Sequence, residues 1–317
     1  MPGLRRGESV FCACAPGLEP VLAAELAALG LAARAVPGGA EAEGDGAAAL
    51  ACLGSRVADA VALRVWSGPA KDLPAARRDA RRASPGELRV RVEGERATIS
   101  LDAAGAPLFR RGWRARVGAA PLRESIAAGI LLACGFSGER PFLDPMCGSG
   151  TLAIEAALIA ARRAPGLGRS FAFERFPGHD AARTARIRAR LAAAARPVPV
   201  AIHASDRNAG ALRLARKNAE AAGVADAIAF AREDAARAVP PPRPGLCAVN
   251  PPWGVRLDEG AADAWRALAA LLPRLAGWEL AVLGPDRGLE RLLPLAPVSA
   301  NPIRNGRLSC RLLRYRP

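Results

Sequence analysis

The segment Asp144-Pro145-Met146-Cys147-Gly148-Ser149-Gly150-Thr151 decides the fold of the carboxy-terminal half of this chain. It follows a short apolar stretch at 141–143 and precedes an apolar helical pattern that runs from Thr151 to about Ala161. Its two glycines let the backbone turn sharply and approach a ligand closely, and the helix amides beyond them can face a polar group. The segment therefore predicts a strand, a cofactor-binding turn and a helix.

The rest of this half alternates between strand and helix patterns. Strand patterns lie near 198–204, 227–231, 246–249 and 278–283, with helical patterns between most of them. Such alternation is typical of a parallel sheet that is covered on both faces. The end differs, because 298–304 and 307–314 flank Asn305-Gly306, which is a strong hairpin signal. A mostly parallel sheet that finishes in an antiparallel hairpin is predicted.

A second short segment, Asn250-Pro251-Pro252-Trp253, follows the strand pattern at 246–249. The amino group of a base or an amide is a poor nucleophile because its lone pair is delocalised, so it must be held in line with the methyl group. The Asn250 side-chain oxygen and the adjacent proline carbonyl can accept its two hydrogens, while Trp253 offers a stacking face. With the first segment, this pattern indicates S-adenosylmethionine-dependent methylation of a planar exocyclic nitrogen. An ordinary proline-rich turn is the alternative.

Two carboxylates at strand ends are candidate cofactor ligands. Asp206 is expected to meet the adenosine ribose hydroxyls, and its alternative role is to cap the following helix. Asp234 is expected to accept the adenine amino group, and its alternative is an ordinary loop carboxylate. The pattern Gly148-x-Gly150-x-x-Ala153 also fits a dinucleotide fingerprint, but that fingerprint needs an acid about 20 residues further on. The next convincing strand end lies far beyond, at Asp206.

Composition bounds the class of protein. The 317 residues, 51% of them hydrophobic, are enough for two domains, and no apolar run is long enough to span a membrane. Seven cysteines without zinc-type spacing and only two histidines predict reduced thiols, no metal and a cytoplasmic location. The net charge of +15 favours a polyanionic partner. A GC-rich genome would also produce many arginines and alanines without any function.

The amino-terminal half is predicted to be a small α+β module. A strand pattern at 10–14 precedes a helical pattern at 18–31, and 38–46 is interpreted as a turn-rich acidic segment. Residues 71–84 are a linker or a basic helix, and 88–92 with 97–101 form a predicted hairpin about Glu93-Gly94-Glu95. The basic and aromatic segment Arg110-Arg111-Gly112-Trp113-Arg114-Ala115-Arg116 follows.

Beyond the two core motifs, the chain resembles the THUMP-associated RNA guanine-N2 methyltransferases. The resemblance covers most of the chain and depends on flanking motifs that are more specific than the core ones. These motifs are Ala15-Pro16-Gly17-Leu18-Glu19 with Glu25-Leu26, Leu101-Asp102 with Gly105, Pro107-Leu108 and Arg111-Gly112-Trp113-Arg114, Ala120-Pro121-Leu122-Arg123-Glu124, Ala164-Pro165-Gly166-Leu167 with Phe171-Ala172-Phe173-Glu174, and Asn305-Gly306-Arg307-Leu308 with Cys310.

The resemblance implies a class I S-adenosylmethionine-dependent methyltransferase domain at 119–317, with a Rossmann-like seven-stranded sheet. Residues 1–118 are then a ferredoxin-like piece with an abbreviated THUMP region that binds RNA. The implied catalytic residues are Asn250, Pro251, Pro252 and Trp253. The implied cofactor contacts are Asp144, Met146, Cys147, Gly148, Gly150, Thr151, Asp206, Arg207, Asp234, Ala235 and Asn250. The implied RNA contacts are Arg110, Arg111, Arg114, Arg116 and Arg256.

Two departures from the family pattern affect the substrate more than the chemistry. The stretch 67–88 is too short for a complete THUMP core, and Trp253 stands where the family more often has Tyr. We predict N2-methylguanosine formation in 23S ribosomal RNA, with transfer RNA as the nearer alternative. DNA adenine or protein glutamine methylation uses the same turn, and an inactive RNA-binding assembly factor is the alternative outside enzymes. For the arginine segment, the alternative is that it braces the boundary between the domains. No role is predicted for the insertion at 162–197.

Overall fold

The computed structural model describes residues 7–83, 87–114, 122–252, 259–285, 288–306 and 308–317. The chain divides into two compact units. The first contains residues 1–110 and 164–195, and the second contains residues 111–163 and 196–317. The sequence predicts a boundary at 118/119 and assigns 164–195 to the second domain, whereas this segment groups with the first unit.

The first unit is built on an antiparallel six-stranded sheet of order β2-β3-β1-β4-β6-β5. Its elements are β1 (Glu8–Ala13), α1 (Glu19–Ala28), β2 (Ala32–Val36), β3 (Gly39–Gly44), α2 (Ala47–Gly54), β4 (Ala60–Pro69), α3 (Leu73–Ala83), β5 (Leu88–Glu93) and β6 (Arg96–Asp102). The first six elements and their order β2-β3-β1-β4 form the ferredoxin-like arrangement that the resemblance implies. The predicted hairpin is present as β5 and β6, which extend the same sheet beyond β4.

Strand β3 is a correction to the sequence interpretation, which made 38–46 a turn. Ala40 and Ala42 are fully buried, while Glu41 and Glu43 on the opposite face are partly or fully exposed. This is the two-residue alternation of a half-buried strand. Alanine is a weak strand former and glycines flank the segment, so composition concealed the alternation.

The insertion packs on the first unit through backbone contacts. The Gly166 N–H donates to the Leu53 carbonyl at 2.9 Å, and the Phe173 N–H donates to the Ala103 carbonyl at 3.0 Å. A Cβ atom on Gly166 would lie 2.6 Å from the Leu53 Cα, so only glycine permits this approach. The helix of the insertion, α6 (Ala181–Ala193), is capped by Asp180, whose side chain accepts from the Arg183 N–H at 2.8 Å.

The second unit contains a seven-stranded sheet of order β12-β13-β11-β10-β7-β8-β9. Its elements are α4 (Glu124–Ala133), β7 (Phe142–Asp144), α5 (Thr151–Ala160), β8 (Ile202–Ser205), α7 (Ala209–Ala221), β9 (Ala229–Ala231), β10 (Leu246–Val249), α8 (Glu259–Leu271), β11 (Glu279–Pro285), β12 (Ser299–Asn305) and β13 (Leu308–Tyr315). Strands β11, β10, β7, β8 and β9 pair in parallel, and β13 pairs antiparallel with both β11 and β12. The predicted fold class is confirmed, including the hairpin about Asn305-Gly306.

The central strands are apolar because both faces of this sheet are covered. All four residues of β10 are buried. One large cluster joins Trp265 of α8 to Leu313 and Tyr315 of β13, and each of these side chains is at most 1% exposed. No helix within the described ranges is long and apolar enough to cross a membrane.

Candidate active site

The candidate residues of the second unit gather at the carboxyl ends of four neighbouring strands. Strand β7 pairs with β10 on one side and with β8 on the other, and β8 pairs with β9. Asp144 ends β7, Asp206 follows β8, Asp234 comes after β9, and Asn250 follows β10. Carboxyl ends of parallel strands meet at one edge of a sheet, which is where open α/β sheets bind their ligands. The topology therefore brings the two sequence motifs together.

The turn at 147–150 is held by strand β8 and helix α7. The Cys147 N–H donates to the Ser205 carbonyl at 2.9 Å, and the Gly148 N–H donates to Asp206 Oδ2 at 2.9 Å. The Asn218 side-chain amide donates to the Ser149 carbonyl at 3.0 Å. We call residues 147–150 the glycine turn.

The two glycines of this turn are required for different reasons. Gly148 has a φ of 52°, and a Cβ atom there would meet nothing within 4 Å, so space for a ligand remains open beside it. Gly150 has a φ of 85°, and its Cβ would lie 3.1 Å from the Ala215 Cβ of α7. Both backbones occupy the left-handed region that glycine tolerates best. Gly150 also lets α7 pack closely against the turn.

Asn218 is a positioning residue that the sequence interpretation missed. It is fully buried on the face of α7 that also carries Leu212, Ala215 and Ala219. A polar side chain at apolar helical spacing is a signal that the sequence does contain. Buried amides need hydrogen-bond partners, and the carbonyl at Ser149 is one of them.

Asp206 is placed as predicted at the strand end, but it is not the helix cap. Its Oδ2 accepts the Gly148 N–H, and its Oδ1 accepts the Asn208 N–H at 2.8 Å. The cap of α7 is Asn208, whose side chain accepts from the Gly210 and Ala211 amides. Asp206 therefore fixes the turn and keeps further acceptor positions, because each carboxylate oxygen can accept more than one hydrogen bond.

Asp234 caps a short 3-10 helix at Ala235–Arg237 by accepting the Ala236 N–H at 2.9 Å. Its side chain is half-buried and the neighbouring Ala235 is buried. Contact with an adenine amino group stays a prediction for this residue.

Asp144 is the most perturbed acid of the site. It is 1% exposed, and its Oδ1 accepts the Met146 N–H at 3.2 Å. Burial is the main cause that raises the pKa of Asp144 to about 8; the Met146 hydrogen bond opposes this rise, and the nearby charge of Asp206 adds to it. The Asp144 carboxyl group is therefore mostly neutral at pH 7.

The remaining predicted cofactor contacts differ in exposure. Cys147 is buried and Met146 is half-buried, whereas Arg207 is exposed. Thr151, at the start of α5, is 4% exposed, and its hydroxyl accepts from Arg114 Nη2 at 3.0 Å. The Thr151 side chain thus anchors Arg114. Among the described residues, no group of His, Cys, Asp and Glu side chains is arranged to hold a metal ion.

Asn250 presents an unpaired acceptor. Its Oδ1 is buried, and within the described part of the chain it has no hydrogen-bond partner. A buried acceptor without a donor costs free energy, so a native structure that retains one usually does so for a functional reason. Pro251 beside it is buried and Pro252 is exposed. The predicted contacts Trp253 and Arg256 lie outside the described residues.

Two of the predicted RNA contacts are buried instead, which corrects the sequence interpretation. The Arg111 side chain is 3% exposed and pairs with the fully buried Glu155 of α5, with 3.3 Å between Nε and Oε1. Arg114 is 9% exposed and pairs with Glu124 of α4 at 3.1 Å. Side chains this enclosed present no surface to a phosphate. They brace the helices of the second unit.

Of the other arginines in that segment, Arg110 is exposed and stays a predicted RNA contact. Arg116 lies outside the described residues. Trp113 is 6% exposed, and the guanidinium of Arg114 lies 5.5 Å from the centre of its ring. The basic and aromatic composition of this segment therefore reflects internal packing at Arg111, Trp113 and Arg114.

Comparison with protein families agrees with this geometry. The model of the RMKL-like methyltransferase domain matches residues 111–314, and that of the RlmL ferredoxin-like domain matches residues 9–62. The chain belongs to the RMKL-like methyltransferase domain family. The resemblance predicted from the sequence is thereby confirmed, as is the ferredoxin-like domain before the methyltransferase fold.

A curated relative is the ribosomal RNA large subunit methyltransferase K/L of Psychromonas ingrahamii. It is 38% identical over 237 residues, which are 71% of this chain and 31% of that protein. The chain spans about a third of the length of the curated relatives it matches.

Two solved structures share the fold over nearly the whole chain. SMU.472, assigned as a methyltransferase and solved in complex with SAH, is 24% identical with a TM-score of 0.87 over 99% of both chains. A protein from Listeria monocytogenes, predicted to be an N6-adenine-specific DNA methylase, is 26% identical with a TM-score of 0.85 over 98% of this chain and 97% of that one.

The pair of Arg111 and Glu155 yields a stability prediction. Arg111→Ala leaves the buried Glu155 carboxylate without its partner, so we expect the free energy of unfolding to fall by about 3–5 kcal/mol. Urea unfolding of the full chain measures this. Arg110→Ala removes the neighbouring exposed arginine and should change stability by less than about 0.5 kcal/mol. If Arg111→Ala keeps wild-type stability but binds RNA more weakly, the burial argument is wrong and Arg111 is an RNA contact, as the sequence predicts.

The environment of Asp144 yields a pH prediction. Because its pKa is raised to about 8, the neutral carboxyl stabilises the fold fully below the ordinary pKa, and this contribution is lost as pH rises towards 8. Asn cannot ionise. The unfolding free energy of Asp144→Asn relative to wild type should therefore rise between pH 5 and pH 8, by up to about 1.4 kcal/mol per pH unit. Melting temperatures of the two proteins over this pH range should show the same trend.

The exposed Asp226 provides the matched control, since Asp226→Asn makes the same substitution at a side chain that faces solvent. A difference between Asp144→Asn and wild type that stays constant with pH would show that Asp144 titrates normally.

Proposed function

We propose that this chain is an S-adenosylmethionine-dependent RNA methyltransferase that forms N2-methylguanosine in large-subunit ribosomal RNA. The observation that carries the proposal is the buried, unpaired Oδ1 of Asn250 at the carboxyl end of β10, adjacent to the strand that leads into the glycine turn. An amino group on a planar base is a donor that fits this acceptor. Family membership supports methyl transfer as the reaction.

The glycine turn and its supports fit S-adenosylmethionine as cofactor. When bound, this cofactor supplies an electrophilic methyl group. Asp206, already oriented by two backbone amides, has acceptor positions for ribose hydroxyls, and the space beside Gly148 admits a ligand against the backbone. The neighbour SMU.472 was solved with SAH, the demethylated form of this cofactor, and supports the assignment.

Asn250 would act by holding the nucleophile. Its Oδ1 and the carbonyl of Pro251 accept the two hydrogens of the guanine amine, which orients the nitrogen for in-line attack. The proline rings limit the conformations of the turn, so little ordering is required when the base binds. Methylation of such an amine gives a cation whose proton is readily lost to water, so positioning supplies most of the catalysis.

RNA as substrate is supported by the net charge of +15 and by the name of the curated relatives. Transfer RNA stays the nearer alternative. We further propose that α3 with the β5–β6 hairpin is an abbreviated THUMP region, and that the protein is cytoplasmic. All seven cysteines are buried free thiols, as expected in a reducing compartment.

DNA adenine methylation is the second candidate, because the Listeria monocytogenes neighbour carries that prediction and the same Asn-Pro-Pro turn would hold an adenine amine. Protein glutamine methylation also suits the turn, and an inactive assembly factor would bind cofactor without transferring methyl groups. Incubation with labelled cofactor and, separately, ribosomal RNA, transfer RNA, DNA and a glutamine peptide distinguishes these. Nucleoside mass spectrometry should find N2-methylguanosine in ribosomal RNA, and N6-methyladenine in DNA alone would overturn the proposal.

Asn250→Ala should lower turnover by about a hundredfold with little change in cofactor affinity, because an interaction that orients the nucleophile is lost while the cofactor site is intact. Single-turnover methylation and calorimetry measure the two quantities. Asn301→Ala, which removes an exposed asparagine from β12, is the matched control and should be normal. Near-normal turnover in Asn250→Ala would contradict the assigned role.

Asp206→Ala should weaken S-adenosylmethionine binding about tenfold or more, because charge-assisted hydrogen bonds are each worth about 1.5–3 kcal/mol and the glycine turn loses an anchor as well. Calorimetry on the folded variant measures the affinity. Asp226→Ala, at an exposed position of the same unit, should bind as wild type does. Unchanged affinity in folded Asp206→Ala would remove this residue from the cofactor site.

A further inference from the structure

The segment 164–195 interrupts the methyltransferase sequence between α5 and β8, yet it is part of the first unit. It contains six arginines and two acidic residues, a net charge of +4 in a segment that is about a tenth of the chain. Its charges divide into those that hold the segment in place and those that do not.

The arginines on the inner side of the segment are engaged. Arg169 donates to the carbonyls of Ala106, Pro107 and Leu108 at 3.2–3.3 Å. Arg188 pairs with Glu174 at 3.1 Å and donates to the Leu167 carbonyl at 2.7 Å. These contacts secure the loop that leads into α6.

Arg183 is engaged as well, since it pairs with Asp45 at 2.8 Å and with Asp180 at 3.3 Å. Both acidic residues of the segment, Glu174 and Asp180, thus form ion pairs with arginines of the same segment. Neither is available to neutralise a further cation at full strength.

The outer side of α6 is different. Ala182, Ala185, Arg186, Ala189 and Arg190 are all exposed and share one face by their spacing of three and four residues. Within the described ranges, neither Arg186 nor Arg190 takes part in an ion pair, and the face between them carries only alanine side chains. The face itself therefore carries two cations and no acid, and Asp180 at the start of the helix is the acid whose charge acts on Arg186. The alanine side chains are small enough for another surface to approach closely.

We infer that this face of α6 binds the phosphate backbone of the RNA substrate. Two guanidinium groups one helical turn apart provide bidentate donors for phosphate oxygens, and the alanines between them cause no steric obstruction. The occupant is assigned by charge complementarity, because a face with cations and no acid suits a polyanion. The inference rests on the proposed RNA substrate and gives the insertion a function: it adds a phosphate-binding helix to the first unit.

The test uses the full chain and compares Arg186→Gln/Arg190→Gln with wild type. Glutamine has a good helix propensity and both positions are exposed, so folding should be preserved, as melting temperature will verify. Arg243→Gln/Arg316→Gln, at two exposed arginines of the second unit, is the control with the same loss of charge. The probes are a 23S ribosomal RNA fragment and an RNA hairpin of unrelated sequence.

Binding is measured over a range of salt concentrations. We expect the slope of log affinity against log salt to decrease by up to about 1.4–1.8 in the α6 variant, which corresponds to two lost phosphate contacts, and to change much less in the control. Both RNAs should be affected alike, because phosphate contacts carry no sequence information. Arg186→Lys/Arg190→Lys should retain most of the slope.

Several results would overturn the inference. One is an unchanged slope in a folded α6 variant. Another is an equal decrease in the α6 variant and the control, which would mean that only total charge matters. A third is a loss of binding to anionic phosphatidylserine vesicles with RNA binding intact, which would assign the face to a membrane. A wild-type chain that binds RNA but methylates only DNA would refute the proposed function and leave this surface in place, so the two failures are distinguishable.

Discussion

Strand β8 and helix α7 fix the glycine turn through hydrogen bonds and packing. The candidate site of the second unit depends on this constraint. The turn belongs by sequence to the β7–α5 connection, yet three of its four residues are hydrogen-bonded to Ser205, Asp206 and Asn218. The fourth, Gly150, lies against Ala215. The turn is thus shaped by the neighbouring strand–helix unit, and the parallel order of β7 and β8 is what brings the two together. Asp206 fixes the turn by accepting the Gly148 N–H, and it also accepts the Asn208 N–H before α7.

The arginines of this protein occupy two environments, one buried and one exposed to solvent. Arg111 and Arg114 pair with Glu155 and Glu124 inside the second unit, where an unpaired carboxylate would be costly. Burial raises the pKa of Glu124 and the charge of Arg114 opposes that rise, as expected for a carboxylate that needs its partner. The exposed arginines of α3 and α6 are the same residue type, but their side chains face solvent, so they are available to bind a polyanion. Each buried pair is neutral, so the net charge of +15 is carried by the remaining side chains.

The same division explains why the sequence predicted the strand, turn and helix around the two glycines correctly and misled for the arginine segment. Glycines with positive φ, a strand before and a helix after are local properties, and local sequence encodes them. Whether Arg111 faces solvent depends on a carboxylate 44 residues away in the chain, which no local pattern reveals. Strand β3 was missed because alanine gives a weak strand signal, while the two hairpins were found because Gly94 and Gly306 mark their turns.

The sequence by itself determined the class of the fold and the position of the glycine turn between β7 and α5, because these depend on short segments with distinctive backbone requirements. Only the tertiary structure decided that 164–195 joins the first unit, that Asn218 and Asp206 shape the glycine turn, and that two of the predicted RNA contacts are buried. Each of these depends on which distant segments meet. These long-range contacts are determined by the packing of whole helices and strands. The packing energy is distributed over many side chains that carry no recognisable motif.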